Sequence, residues 1–163
     1  MNRSILIALA GLGLASCGQG GDSNSTAAAA PPRPEPTPAE KAALLAALPA
    51  PYNAADLDNG RRVFARCRSC HTLTESGPNM TGPNLYGVFG REAGGHPDYN
   101  YSAVVKAADF TWNAERLDHW LENPRTYLKG TKMSFAGIPD AADRRDVIAF
   151  LKVKTGYTPP PQP

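Results

Sequence analysis

The sequence predicts an all-α fold, a small domain of about four to five helices joined by long loops. Three observations predict it. Several segments repeat apolar residues at spacings of three and four, the period of a helix buried on one side. The stretch 72–97 is rich in Gly, Pro and Asn, which indicates irregular loop. The pentapeptide CRSCH at residues 67–71 can attach a prosthetic group. Such a group would form part of the hydrophobic core and so allow loops that are too long for a domain without one.

Cys67, Cys70 and His71 form a Cys-x-x-Cys-His run, the attachment signature of a c-type haem. Two thiols three positions apart can each add to a vinyl group of one haem, and the next residue is then available as the proximal iron ligand. A structural zinc site needs about four Cys or His ligands, but the chain has 3 cysteines and no second pair. A thioredoxin-like motif needs a βαβ context, which the flanking sequence does not show. We therefore predict one covalently bound haem c.

Residues 1–16 are predicted to be a lipoprotein signal peptide. Arg3 precedes a short apolar run at 5–14, the pattern of a secretory signal. The run is too short for a membrane span, which needs about 20 apolar residues. It ends at LASC, which resembles a bacterial lipobox whose cysteine, here Cys17, becomes the lipidated first mature residue. We expect lipid on Cys17 to anchor the protein to a bacterial cell membrane on the periplasmic side; the alternative is an ordinary signal peptide with an incidental Cys17.

A tether is predicted over residues 17–55. It contains Gly, Ser and Thr, then an Ala run, then a Pro-rich stretch at 31–38, a composition that favours a flexible chain with semi-rigid pieces. At about 3.1 Å per residue it would reach on the order of 100 Å. Residues 40–48 form either a short helix ended by Pro49 or merely an Ala-rich part of the linker. A Pro-rich tail occupies 158–163.

The folded domain is predicted over residues 56–157. Its first helix should start near Asp58, because Gly60, Val63, Phe64 and Cys67 then share one face that ends at the haem attachment residues. Three more helices follow, each with a residue that can cap its start: Ser102 through Ala107; Asn113 to Pro124, with Leu117, Trp120 and Leu121 inward; and Asp140 to Gly156, with Val147, Ile148 and Leu151 on one face beside Phe150.

Met133 lies in the stretch YLKGTKMSFAGI at 127–138, among Gly, Lys and Thr rather than on an amphipathic face. Together with CRSCH, GPNLYGVFGR and FTW, in this order, the stretch makes the chain resemble class I cytochromes c, within them the mitochondrial and cytochrome c2-like branch. The resemblance covers about Gly60 to Gly156. It implies the small cytochrome c fold wrapped around one haem.

The resemblance also implies roles for particular residues. Met133 is similar to the axial sulfur ligand opposite His71, and Pro83 to the residue whose carbonyl accepts a hydrogen bond from the proximal histidine. Gly60 and Phe150 would mark the crossing of the first and last helices. The remaining expectations are haem propionate contacts from Arg91, Tyr101 and Trp112, and bracing of the Met133 loop, next to the cofactor, by Tyr127, Thr131 and Phe135.

Two positions depart from the usual family pattern. Trp120 stands where a tyrosine usually reaches toward the methionine sulfur, and Val105 stands where mitochondrial members carry an asparagine near a buried water. An indole N–H at Trp120 could replace the hydroxyl or could simply pack. The resemblance therefore does not imply the corresponding polar network for this chain.

The predicted function is one-electron transfer without catalysis, by a carrier between a quinol:cytochrome c reductase of the bc1 type and a terminal oxidase. The net charge of +2 does not suggest nucleic acid as a partner. We expect a monomer. We also expect it to dock on acidic patches of its redox partners, because basic residues flank the attachment helix and the Met133 loop. These basic residues are Arg61, Arg62, Arg66, Arg68, Arg125, Lys129 and Lys132.

Two alternatives to a mobile carrier remain. They are a haem module permanently associated with an oxidase or dehydrogenase, and a haem peroxidase.

Overall fold

The computed structural model describes residues 36–155. The predicted signal peptide, Cys17, most of the Pro-rich stretch, Gly156 and the C-terminal tail lie outside the described residues. Within residues 36–155 the only paired extended backbone is an isolated antiparallel bridge between Glu92 and Thr111. The all-α prediction is confirmed for this part of the chain. The elements are α1 (Pro38–Ala46), a 3-10 turn (Tyr52–Ala54), α2 (Leu57–Phe64), α3 (Ala103–Lys106), α4 (Ala114–Glu122), α5 (Pro124–Tyr127) and α6 (Ala141–Lys154).

The first predicted helix, α2, crosses the last helix, α6, at Gly60. A Cβ placed on Gly60 would lie 2.2 Å from the backbone oxygen of Asp146 and 2.7 Å from the Cβ of Phe150. Only glycine permits this approach, which explains a residue of poor helix propensity in the middle of α2. The rings of Phe64 and Phe150 pack beside the crossing, with centroids 5.7 Å apart. The predicted crossing of first and last helices is therefore present.

Helix starts follow the predicted caps at two of three positions. The side chain of Asn113 accepts from the backbone N–H of Arg116 at 2.8 Å, and that of Asp140 accepts from Asp143 at 2.8 Å. Ser102 precedes α3 but makes no such bond. Pro124 ends α4 as predicted, but it also starts the four-residue α5, because proline fits the first position of a helix.

A buried arginine joins α4 to α6. Arg144, on α6, donates to Asp118 of α4 at 2.9 Å and to the carbonyls of Ile138 and Pro139 at 2.9 and 2.8 Å. The hydrogen bond from Arg144 to Asp118 raises the pKa of the guanidinium above its usual range. The arginine thus fixes the chain just before α6, which is the end of the loop that carries Met133.

The segment 38–55 differs from the expectation of a flexible tether. Residues Pro38–Ala46 form a helix, and Leu48 and Ala55 are buried against Ala149 of α6. In the sequence, this segment is distinguished only by residues of high helix propensity, and an isolated helix of nine residues is only marginally stable in water. No residue of this helix is itself buried, and the buried contacts with α6 come from Leu48 and Ala55, which follow it. Separately, no helix within residues 36–155 combines the length and the apolar character that a bilayer crossing requires.

Candidate functional site

A cavity of about 330 Å³ lies between the helices and the long loops. Its walls are mostly apolar, and they come from α2, α4, α6 and the loops on either side of α3. Most of the residues predicted to contact a cofactor line this single cavity. They are Cys67, Cys70, His71, Pro83, Arg91, Tyr101, Trp112, Thr131 and Met133.

The two cysteines and His71 reach the cavity because α2 ends at Phe64 and the chain then continues as tight turns. Backbone bonds run from Cys67 N–H to Phe64 at 2.8 Å and from His71 N–H to Cys67 at 3.0 Å. Both thiols are free and half-buried. Burial raises the pKa of the Cys67 thiol to about 11. These turns bring both thiols and the imidazole to the same wall.

The imidazole of His71 is fixed from two sides. Its Nδ1 lies 2.7 Å from the carbonyl oxygen of Pro83, so Nδ1–H donates and Nε2 keeps its lone pair for a ligand. A Cβ on Gly82 would lie only 2.2 Å from Cε1 of the ring, so the Gly82 backbone lies directly against the imidazole. Burial lowers the pKa of His71, and the bond to Pro83 opposes that shift. The net shift favours the neutral imidazole, the form that binds metals.

Met133 is presented to the cavity by a loop that is fixed along its length. Its backbone N–H donates to the hydroxyl of Thr131 at 3.2 Å. Lys132 donates to the carbonyls of Asn100 and Tyr101 at 3.1 and 3.3 Å, which ties the loop to the opposite segment. Further on, Ile138 is fully buried, and its N–H donates to Leu121 of α4 at 2.8 Å.

A polar corner interrupts the apolar wall at Arg91. Its guanidinium donates to the carbonyl of Asn84 at 2.9 Å and to that of Tyr86. The backbone N–H of Trp112 donates to the backbone carbonyl of Arg91 at 2.8 Å. Burial lowers the pKa of Arg91 and raises that of Tyr101, while their mutual interaction opposes both shifts. A half-buried guanidinium beside a phenol is a favourable environment for a carboxylate.

Ser102 adds a polar atom that sequence reasoning missed. Ser102 is buried and lines the cavity. Among the buried side-chain polar atoms of residues 36–155, its Oγ is the one without a hydrogen-bond partner. Its position before α3 suggested a cap instead, and no local pattern distinguishes the two uses. Such an atom costs free energy unless a bound group supplies a partner. With the free thiols and the free Nε2, it shows that these residues fit a haem with carboxylate substituents.

Among the residues predicted to brace the Met133 loop next to the cofactor, Tyr127 does not line the cavity. Its ring lies behind the wall, with its centroid 6.1 Å from that of Phe110 and 6.2 Å from that of Trp120. Trp120 itself lines the cavity and meets Trp112 edge-on at 5.5 Å. Tyr127 therefore supports the aromatic wall, and the α5 turn that carries it keeps it away from the cavity.

Three other side chains of types that can bind haem iron, two histidines and one methionine, lie outside the cavity lining. His119 is exposed and stacks on the ring of Tyr127 at 6.5 Å. The Nδ1 of His96 lies 2.7 Å from the carbonyl of Pro97 in its own loop. Met80 is 47% exposed. Of the described methionines, only Met133 lines the cavity.

Comparisons with known proteins identify the family of this chain. A family profile described as cytochrome c matches residues 57–154. Cytochrome c from Euglena viridis is 47% identical over 98 residues, which cover 60% of this chain and 95% of that protein. A cytochrome c homolog from Bradyrhizobium diazoefficiens is 40% identical over 107 residues, covering 65% of this chain and 58% of its own length. The structure of cytochrome cH from Methylobacterium extorquens superposes with a TM-score of 0.58 at 40% identity and covers 61% of this chain and 100% of that one.

The family match begins at the start of α2 and ends with α6, so it contains the whole cavity. It also agrees with the class I resemblance read from the four sequence stretches. Members of this family carry a covalently bound haem c and work with redox partner proteins. The chain therefore belongs to the cytochrome c family and is a haem c electron carrier rather than an enzyme.

Proposed function

We propose that this protein is a lipid-anchored, periplasmic one-electron carrier that shuttles between a quinol:cytochrome c reductase and a terminal oxidase. The observation that carries the electron-transfer part is the convergence of Cys67, Cys70, His71 and Met133 on one mostly apolar cavity. Bound haem supplies the chemistry, one-electron exchange at an iron with two protein ligands.

The proposed ligands are His71 through Nε2 and Met133 through its sulfur, with Cys67 and Cys70 as the covalent attachment points. Contact with the Gly82 backbone and the bond to Pro83 fix the orientation of the imidazole, so that Nε2 would be available to a bound haem iron. The anchored loop presents the sulfur in the same way. Because both sites are fixed by the fold, little rearrangement is required between oxidation states.

Proposed carboxylate contacts are Arg91, Tyr101 and Trp112, to which the structure adds Ser102. The guanidinium provides a positive charge in a half-buried position, and the neighbouring hydroxyls provide neutral donors. Thr131 supports the proposed methionine ligand rather than a carboxylate, since its hydroxyl accepts from the backbone N–H of Met133.

The proposed membrane attachment is a lipid on Cys17. Its support is the sequence alone, a basic start, a short apolar run and LASC, and it lies outside the described residues. Several acyl chains on one residue would give stable anchoring, whereas a single chain gives only marginal binding. A tethered carrier meets its partners at a raised effective concentration without any new contact.

The proposed docking surface is the basic rim of the cavity, defined by Arg66 and Lys132. Both residues line the cavity and are exposed. Arg61 and Arg62 contribute less, because they lie 3.7 and 3.8 Å from Asp58 and Asp56 respectively. A basic rim steers encounter with acidic patches and increases the association rate more than the affinity.

The test is electron transfer between purified complexes. The reduced, haem-loaded protein is mixed with a terminal oxidase, and the oxidised form with a quinol:cytochrome c reductase, in stopped-flow measurements. Second-order exchange with both complexes is expected for a mobile carrier. Exchange with neither would contradict the proposed partners. Copurification in fixed stoichiometry with one complex, without exchange, would favour the permanently associated module.

A further inference from the structure

The segment 38–55 packs on the domain in a way that the family comparison does not account for. The cytochrome c profile begins at residue 57, so α1 and the 3-10 turn precede the matched domain. A capping box starts α1, in which the Thr37 hydroxyl accepts from the N–H of Glu40 and the Glu40 carboxylate accepts from the N–H of Thr37. The helix therefore has a defined start as well as a docked end.

The docked end lies on α6. Leu48 is 3% exposed, Ala55 is 7% exposed, and both pack with Ala149, which is 0% exposed. Tyr52 joins this cluster and also packs against the core that surrounds the cavity. The backbone N–H of Asp56 donates to the Asp146 carboxylate at 3.1 Å, which closes the segment against α6.

The contacted face of α6 is the one that points away from the cavity. Val147 and Leu151 line the cavity. Ala149 is two residues from each of them, about 200° around a helix of 3.6 residues per turn. On the same outer side, the ammonium of Lys152 lies 5.8 Å from the ring centroid of Tyr52 and 5.2 Å from that of Phe89. α6 is thus packed on both sides, by the cavity wall and by the N-terminal segment.

We propose that residues 38–55, which we call the strap, dock on the outer face of α6 in the haem-loaded protein. The tether that the sequence predicts over residues 17–55 would then end near Thr37 rather than near Ala55. At about 3.1 Å per residue, docking of these 18 residues shortens the reach of the chain by on the order of 50 Å. The outer face of α6 is covered by the strap, so redox partners are restricted to other surfaces. This inference does not depend on the identity of the redox partners.

Hydrogen exchange measured by mass spectrometry on the full-length, haem-loaded protein tests the strap. A nine-residue helix is marginal in isolation, so protection of its amides reports docking. We expect the amides of residues 41–48 to exchange at least about tenfold more slowly than in a synthetic peptide of residues 36–55. Exchange at the rate of the free peptide would overturn the proposal.

Substitutions localise the effect. Tyr52→Ala and Leu48→Asp should abolish protection in 38–55 while 57–71 stays protected and the haem spectrum is unchanged. Asn53→Ala, in the same 3-10 turn but exposed, is the matched control and should leave protection as in the wild type. Wild-type protection in both Tyr52→Ala and Leu48→Asp would also overturn the proposal. If Leu48→Asp does not yield haem-loaded protein, Leu48→Ala replaces it, and the wild-type measurement already decides between docking and a free chain.

Discussion

Gly82→Ala is the sharpest test of how the chain orients its proposed proximal ligand. The substitution adds one methyl group, which would lie 2.2 Å from Cε1 and 2.7 Å from both ring nitrogens of His71. Carbon atoms in contact lie about 3.5–4.0 Å apart. The ring, or the backbone at Gly82, must therefore move by at least about 1.3 Å.

Either movement disturbs the hydrogen bond from His71 to Pro83. That bond is 2.7 Å long, and Pro83 follows Gly82 directly, so a backbone shift carries its carbonyl along. Overpacking costs about 1–3 kcal/mol and the lost bond about 0.5–1.5 kcal/mol. We expect the free energy of unfolding of the haem-loaded protein to fall by about 2–4 kcal/mol in total. Disturbing a partner of a metal ligand also costs about 10–100-fold in metal affinity.

Guanidinium unfolding and carbon monoxide binding to the reduced protein measure both effects. Gly90→Ala is the control, because it has a positive φ of 82° but nothing within 4 Å of the added methyl group. It should cost only the backbone strain, about 1–2 kcal/mol, and leave the iron closed to carbon monoxide. If Gly82→Ala matches the wild type in both measurements, the backbone of Gly82 does not constrain the imidazole.

Three further predictions concern the ligand, the anchor and the docking surface. Met133→Ala should open the iron to carbon monoxide, whereas Met80→Ala, outside the cavity, should not; a site still closed without Met133 would exclude it as the ligand. Cys17→Ser should move the protein from the membrane fraction to the soluble fraction, and continued retention would refute the lipid anchor. Raising salt should slow oxidation by a terminal oxidase by about tenfold or more. Neutralising Arg66 and Lys132 should flatten that dependence, and salt-insensitive rates would remove the steering argument.

Sequence reasoning was most effective where the physics is local. The attachment motif occupies five consecutive residues, so its chemistry is evident before any fold is known. Asn113 and Asp140 act as helix caps because a cap needs only an acceptor three residues before a free N–H. Met133 came from resemblance to the family rather than from local physics, since a methionine in a loop is by itself ambiguous.

Packing between distant parts of the chain decided the rest. Tyr127 belongs to a stretch typical of the family but lies behind the cavity wall, and Ser102 has the sequence position of a cap but lines the cavity. The strap has the composition of a linker, and only Ala149, about a hundred residues later, provides the apolar surface that orders it.

The sequence by itself determined the all-α class, the haem attachment site and the order of the helices, because these depend on neighbouring residues and on a 3.6-residue period. The tertiary structure alone decided which side chains share the cavity and how far the folded part extends toward the N-terminus. The reason is that burial depends on what lies opposite a residue in space. Gly82 illustrates this, because only the atoms of His71 that lie against it explain why the position is a glycine.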